Sequence, residues 1–167
     1  VQLLGGEARP VQAYDSYGMV DAVKDAGALR QSLERGFKGI KIKLGYPDAK
    51  RDVEVTRGVR ELIGPDVALM VDFNQSLPPH EAIRRIRMLD GFDLHWIEEP
   101  VAAEDLQGHA QVRNAVSALG MAIQTGENWW FPRDAERALS VGACDMMMPD
   151  LMKIGGITGW LSVMGLA

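Results

Sequence analysis

Five short apolar runs punctuate the chain at nearly equal intervals: GIKIKL from Gly39, VALMVDF from Val67, LHWIEE from Leu94, MAIQT from Met121 and DMMMP from Asp145. Their starts are 28, 27, 27 and 24 residues apart. Between them lie amphipathic stretches with helix punctuation. DAKRDVEVTRGVRELIG opens on Asp48, whose side chain can cap the first free N–H groups, and closes on Gly64. PPHEAIRRIRMLDG has proline in its first turn, where the missing N–H costs nothing, and ends at Gly91. PRDAERALSVGA repeats that grammar. A helix from about Met19 to Arg35 is expected ahead of the first run, and PVQAYDSY before it reads as one more strand.

Strand–helix alternation at this spacing means right-handed βαβ units and a parallel sheet, so the fold class is α/β. An open doubly wound sheet and an eight-fold barrel both satisfy it. Each run finishes on an ionisable group: Lys43, Asp72, Glu98, Glu127 and Asp150. In an open sheet five such ends would spread over roughly 19 Å, at ~4.8 Å per strand. In a barrel they converge on one mouth, where such folds carry their chemistry. The expectation is a (β/α) TIM-type barrel, incomplete at about six of the eight strands a closed barrel needs.

GFKGIKIKLGY places Lys41 and Lys43 two positions apart, hence on one face of their strand. A solvated edge strand would explain them; so would a reactive lysine beside a second cation. A neighbouring ammonium disfavours the charged form and would lower the pKa of Lys43, fitting it for work as a base. Asp72, Glu98 and Glu127 are carboxylates 26 and 29 residues apart at consecutive run ends. Any one of them could be a helix N-cap. Together they suit Mg²⁺, a hard cation that keeps open positions for water and substrate oxygens. Without a cation they would repel one another and force up at least one pKa.

Five motifs in order, KIK at 41–43, VDFNQS at 71–76, WIEEP at 96–100, GENWW at 126–130 and MPDLMKIGGITGW at 148–160, resemble the enolase superfamily, and within it the mandelate racemase branch. The resemblance runs from about Pro10 to the end. It implies a capping domain ahead of the barrel, with residues 1–9 as its tail and 10–167 as the partial barrel. It implies Mg²⁺ on Asp72, Glu98 and Glu127, and Lys43 as the base that removes the proton α to a carboxylate through a stabilised ene-diolate. It turns Lys41 toward the substrate carboxylate and makes Asn74 a substrate-side amide, where the residue type alone would equally suit a turn. Asp150 resembles the racemase branch, where an aspartate orients a histidine from the next strand; that histidine, and a last-strand acid, would lie beyond Ala167. Lys153 is implied near the substrate. Between Glu98 and Glu127 the chain is about three residues longer than the racemase pattern, which a loop at the barrel's far end would absorb.

Other polar residues read as structural: His80 at a helix start, His95 within a strand, His109 in a helix, Glu99 as a loop or supporting acid. Trp129 and Trp130 either line the mouth or pack in the core, and Cys144 reads as a small buried apolar residue. A net charge of −5 and pI near 5.2 argue against nucleic acid or an anionic membrane as partner. One cysteine excludes an internal disulfide and suits the cytoplasm, as does the lack of a membrane-length apolar run or signal peptide. The expected partners are a small carboxylic acid and, at full length, further copies of the chain. The expected activity is racemisation or epimerisation of a 2-hydroxy acid; the alternative is an acid-sugar dehydratase using the same half-site. A phosphate site at KIGGITG, on a helix N-terminus, would leave the carboxylates unexplained. Six strands without closure also leave two unpaired edges, as in an inactive fragment.

Overall fold

Every apolar run becomes a parallel strand, and every strand is followed by a helix. The structure is a computed structural model and describes residues 4–166; part of the expected 1–9 tail, residues 1–3, lies outside the described residues, as does Ala167. In chain order the elements are β1 (Asp15–Ser16), α1 (Ala26–Glu34), β2 (Gly39–Lys43), α2 (Ala49–Ile63), β3 (Ala68–Asp72), α3 (Pro79–Met88), β4 (Leu94–Glu98), α4 (Leu106–Val116), β5 (Ala122–Thr125), α5 (Phe131–Ser140), β6 (Met146–Met147) and α6 (Gly156–Met164). A short 3₁₀ turn, Ser117–Leu119, follows α4. The six strands pair in sequence order, all parallel, which is the partial TIM barrel expected of the pattern.

The two faces of the sheet divide as period two requires. Ile40, Ile42, Leu69, Val71, Ile97 and Ile123 are fully buried in one cluster with Val55, Val59, Ile86, Val112 and Val116 of the covering helices. The inner face carries the polar residues in rows. Lys43, Asp72, Glu98 and Gln124 are successive register partners on β2, β3, β4 and β5. Two residues below, Lys41, Met70, Trp96 and Ala122 form the next row. A register shift between Leu69 and Met70 skips His95 and makes these rows possible. Without it, Glu98 would face the helices.

The helix signals hold closely. Asp48 accepts from the Lys50 N–H at 2.9 Å, and α2 ends at Gly64 with φ 79°. Pro79 opens α3, and Pro132 lies in the first turn of α5. The helix before β2 is shorter than expected, beginning at Ala26. Asp21 Oδ1 accepts from the N–H groups of Val23 and Lys24, and Asp25 Oδ2 accepts from Asp21 N–H, so side chains capture those donors in turns. Two of the five run ends also differ: β5 stops at Thr125 and β6 at Met147, leaving Glu127 and Asp150 on the loops that follow.

One polar cluster sits behind the sheet. Arg85 of α3 donates to Asp52 Oδ2 of α2 and to the Tyr46 carbonyl, each at 2.7 Å, while Asp52 Oδ1 accepts from the Gly45 and Tyr46 N–H groups. The loop leaving β2, directly after Lys43, is thereby tied to two helices.

Candidate active site

β2 is paired on both sides, and Lys41 is 6% exposed, so the solvated-edge reading of the lysine pair fails. Lys41 Nζ lies 2.8 Å from both carboxylate oxygens of Glu98 and 3.5 Å from Asp72 Oδ2. Burial works against its charge, but hydrogen bonding to Glu98 and the charges of Glu98 and Asp72 outweigh it and hold the ammonium above the usual lysine value. The resemblance implied a Lys41 facing the substrate carboxylate; its own hydrogen-bond partners are Glu98 and Asp72. Lys43 Nζ instead donates to Asn74 Oδ1. Asn74 has φ 45°, and its N–H donates to Asp72 Oδ1 at 2.7 Å. Lys43, Asn74 and Asp72 are thus linked in one short chain.

Asp72 and Glu98 are buried, and Glu127 is half-buried on the β5–α5 loop. Burial, with the Asp72 charge, pushes the Glu98 carboxyl above its ordinary range despite Lys41 and the Trp96 indole N–H at 3.3 Å. Glu127 approaches Asn128 Nδ2 at 3.5 Å. Among the described residues no three His, Cys, Asp or Glu side chains are gathered into a ready cluster for a metal ion. The donor set nevertheless fits a hard divalent cation: Asp72 and Glu98 share one row, and the charges of Asp72, Glu98 and Glu127 all bear on both Glu99 and Tyr14. Gly126, at φ 132°, sets Glu127's loop; a Cβ there would lie 3.1 Å from the Met148 backbone nitrogen.

Tyr14, Trp96 and Asn128 escaped the sequence reading, and Glu99, expected as a loop or supporting acid, has a defined place beside them. Glu99 is fully buried: its φ of 37° ends the strand's alternation and turns it back toward the mouth. Burial raises its carboxyl to about 7, against the Asn128 amide that donates to both its oxygens at 3.0 and 2.8 Å. Lys153 Nζ donates to Asn128 Oδ1 at 2.7 Å, so Asn128 joins Glu99 to Lys153. Tyr14 packs edge-on against Trp96 at 5.3 Å and closes the floor beside Lys41. Trp96 lies two residues from Glu98, and that spacing was the signal available for it. Asp150 is exposed, and its Oδ1 accepts from the N–H groups of Met152 and Lys153.

Of the remaining candidates, Trp129 and Trp130 border a cavity with Asn128, whereas among the described residues no side chain of His80, His109 or Cys144 hydrogen-bonds into this cluster. His109 is buried in α4 with its Nδ1 on the Asp105 carbonyl, and burial lowers its pKa; His80 lies in α3. Trp129 is buried, whereas Trp130 is 57% exposed. Cys144 is half-buried, and burial raises its thiol to about 11.

The model of a family described as enolase C-terminal domain-like matches residues 24–167. The chain belongs to that family. An L-talarate/galactarate dehydratase of Salmonella typhimurium is 38% identical over 171 residues, covering 99% of this chain and 42% of the relative. A 3,6-anhydro-alpha-L-galactonate cycloisomerase of Streptomyces coelicolor is 38% identical over 170 residues, covering 99% of this chain and 46% of the relative. The crystal structure of an enolase from Bradyrhizobium, complexed with magnesium and mandelic acid, superposes with TM-score 0.96 at 56% identity, covering 99% of this chain and 45% of that one. The chain therefore spans under half the length of the curated relatives it matches. Among the described residues, no helix is long and apolar enough to cross a membrane.

Proposed function

We propose that this chain supplies the metal site and one base of a Mg²⁺-dependent enzyme that removes the proton α to a carboxylate, racemising or epimerising a 2-hydroxy acid. The observation that carries the reading is the inner row in which Lys43, Asp72 and Glu98 stand as direct register partners on three adjacent strands. Magnesium bound in a similar structure supports the choice of cation, and mandelic acid in that structure supports the substrate class.

Asp72, Glu98 and Glu127 would hold the cation. Bound there, Mg²⁺ supplies Lewis-acid stabilisation of the negative charge that develops on the substrate carboxylate. Lys41 is committed as an ammonium by Glu98 and Asp72 and adds a fixed positive charge beneath that carboxylate. Lys43, whose amine meets the neutral amide of Asn74, is the member of the pair that takes the α-proton in its neutral form. Asn74, bonded to both Lys43 and Asp72, holds the base in register with the metal carboxylates. Lys153 would meet the substrate from the far side of the mouth, and Asp150 would orient a second base.

A second reading, dehydration of an acid sugar, is favoured by the talarate/galactarate dehydratase relative. It uses the same proton abstraction and then expels a β-hydroxyl. NMR of 2-hydroxy acids and sugar acids incubated with the chain and Mg²⁺ in D₂O separates the two. Deuterium at the α-carbon without loss of water identifies the racemase-type reaction. A keto-acid product identifies the dehydratase, and no exchange with any acid overturns both.

A further inference from the structure

Gln124 is a polar side chain in the inner row that the proposed reaction does not use. It is the register partner of Glu98 on one side and of Met146 on the other, which makes it the fourth member of the row Lys43, Asp72, Glu98. It is 3% exposed, and both of its polar side-chain atoms, Oε1 and Nε2, are buried without a hydrogen-bond partner among the described residues. Its backbone carbonyl is satisfied, accepting from the Glu99 N–H at 3.0 Å. The neighbouring Glu98 carboxylate is taken up by Lys41 and Trp96. Buried amides almost always find a partner in protein, water or an ion, and an unpaired one costs its full desolvation. An apolar residue of the same size would serve packing better at this place.

We propose that Gln124 is part of the cation centre: its amide is the hydrogen-bonding partner of a water or ligand oxygen in the coordination shell of the divalent cation held by Asp72, Glu98 and Glu127. A glutamine can both donate to such an oxygen and accept from a coordinated water. Groups that hold metal ligands and waters in place commonly change affinity by about 10–100-fold when removed. This inference rests on the reading of the three carboxylates as a Mg²⁺ site. Thr125 provides an internal control. Its hydroxyl is also buried and unpartnered, but it follows Gln124 on the strand and so faces the opposite side of the sheet.

The test is Mg²⁺ titration by calorimetry of the full chain, as wild type, Gln124→Met and Thr125→Val, with thermal melts in EDTA and in Mg²⁺. Gln124→Met should weaken Mg²⁺ about 10-fold or more, leave the melting temperature in EDTA unchanged or higher, and lose most of the rise that Mg²⁺ confers. Thr125→Val should keep the wild-type affinity. If Gln124→Met binds Mg²⁺ within about twofold of wild type, the inference falls while the metal reading stands. A lower melting temperature in EDTA with unchanged affinity assigns the amide to a structural water and overturns it too. Should the wild type itself bind no Mg²⁺, the metal reading falls and takes this inference with it.

Discussion

Lys41 and Lys43 share a strand face and a side-chain type, yet their surroundings differ. Lys41, buried beside Glu98 and Asp72, is held as an ammonium. Lys43, two residues nearer the mouth, has the amide of Asn74 as its side-chain hydrogen-bond partner among the described residues. Lys43→Ala should abolish α-proton exchange, measured by NMR in D₂O, while Mg²⁺ affinity stays near wild type. Asp72→Asn should do the reverse at the metal, weakening Mg²⁺ by at least about tenfold in the same calorimetry. Exchange surviving in the Lys43 variant, or unchanged affinity in the Asp72 variant, would remove the corresponding role. The lysine pair was visible in the sequence as a period-two signal. The difference in their partners was not, because it depends on carboxylates 31 and 57 residues away.

The helices between the strands were written locally, and their caps carry measurable energy. Asp48→Ala removes the side chain that accepts from Lys50 N–H, and urea denaturation should show a loss of about 1 kcal/mol. On α3, Glu81 is gripped by Arg84 and Arg85 at 2.7 Å, and those hydrogen bonds hold its carboxyl down to about 2. A carboxylate whose folded value lies below the unfolded 4.5 contributes stability above pH 4.5 and loses it as pH falls toward 2. The urea midpoints of wild type and Glu81→Gln should therefore differ at pH 6 and converge as the pH is lowered through that window. A gap that stays constant from pH 6 to pH 3 would show that the ion pairs contribute nothing. The start of α1 was misjudged for a local reason with a competing partner: Asp21 and Asp25 draw backbone donors into turns before Ala26.

Across the whole molecule, β2 to β5 each have a partner on both sides, whereas β1 and β6 are two-residue edges. Hydrogen exchange should accordingly be slowest in residues 68–72 and 94–98 and fast at 146–147; equal protection of β3 and β6 would contradict that hierarchy. The strand–helix order and the parallel sheet followed from the sequence alone, because period-two and capping signals act over a few residues; the inward turn of Glu98 did not, since it depends on the register shift at His95. Asn128 and Gln124 were not legible either, and Glu99 was legible only as a loop or supporting acid. Glu99 reaches the site only through a positive φ after β4, and Asn128 matters because it meets Glu99 and Lys153 from another strand's loop. Gln124 enters the row of Asp72 and Glu98 only once the skipped residue at His95 brings β3, β4 and β5 into register. Local pattern set the strands and their alternation; which side chains of β4 face inward, and which of them meet, was decided by lateral pairing of strands, an interaction between segments that no stretch of the chain carries by itself.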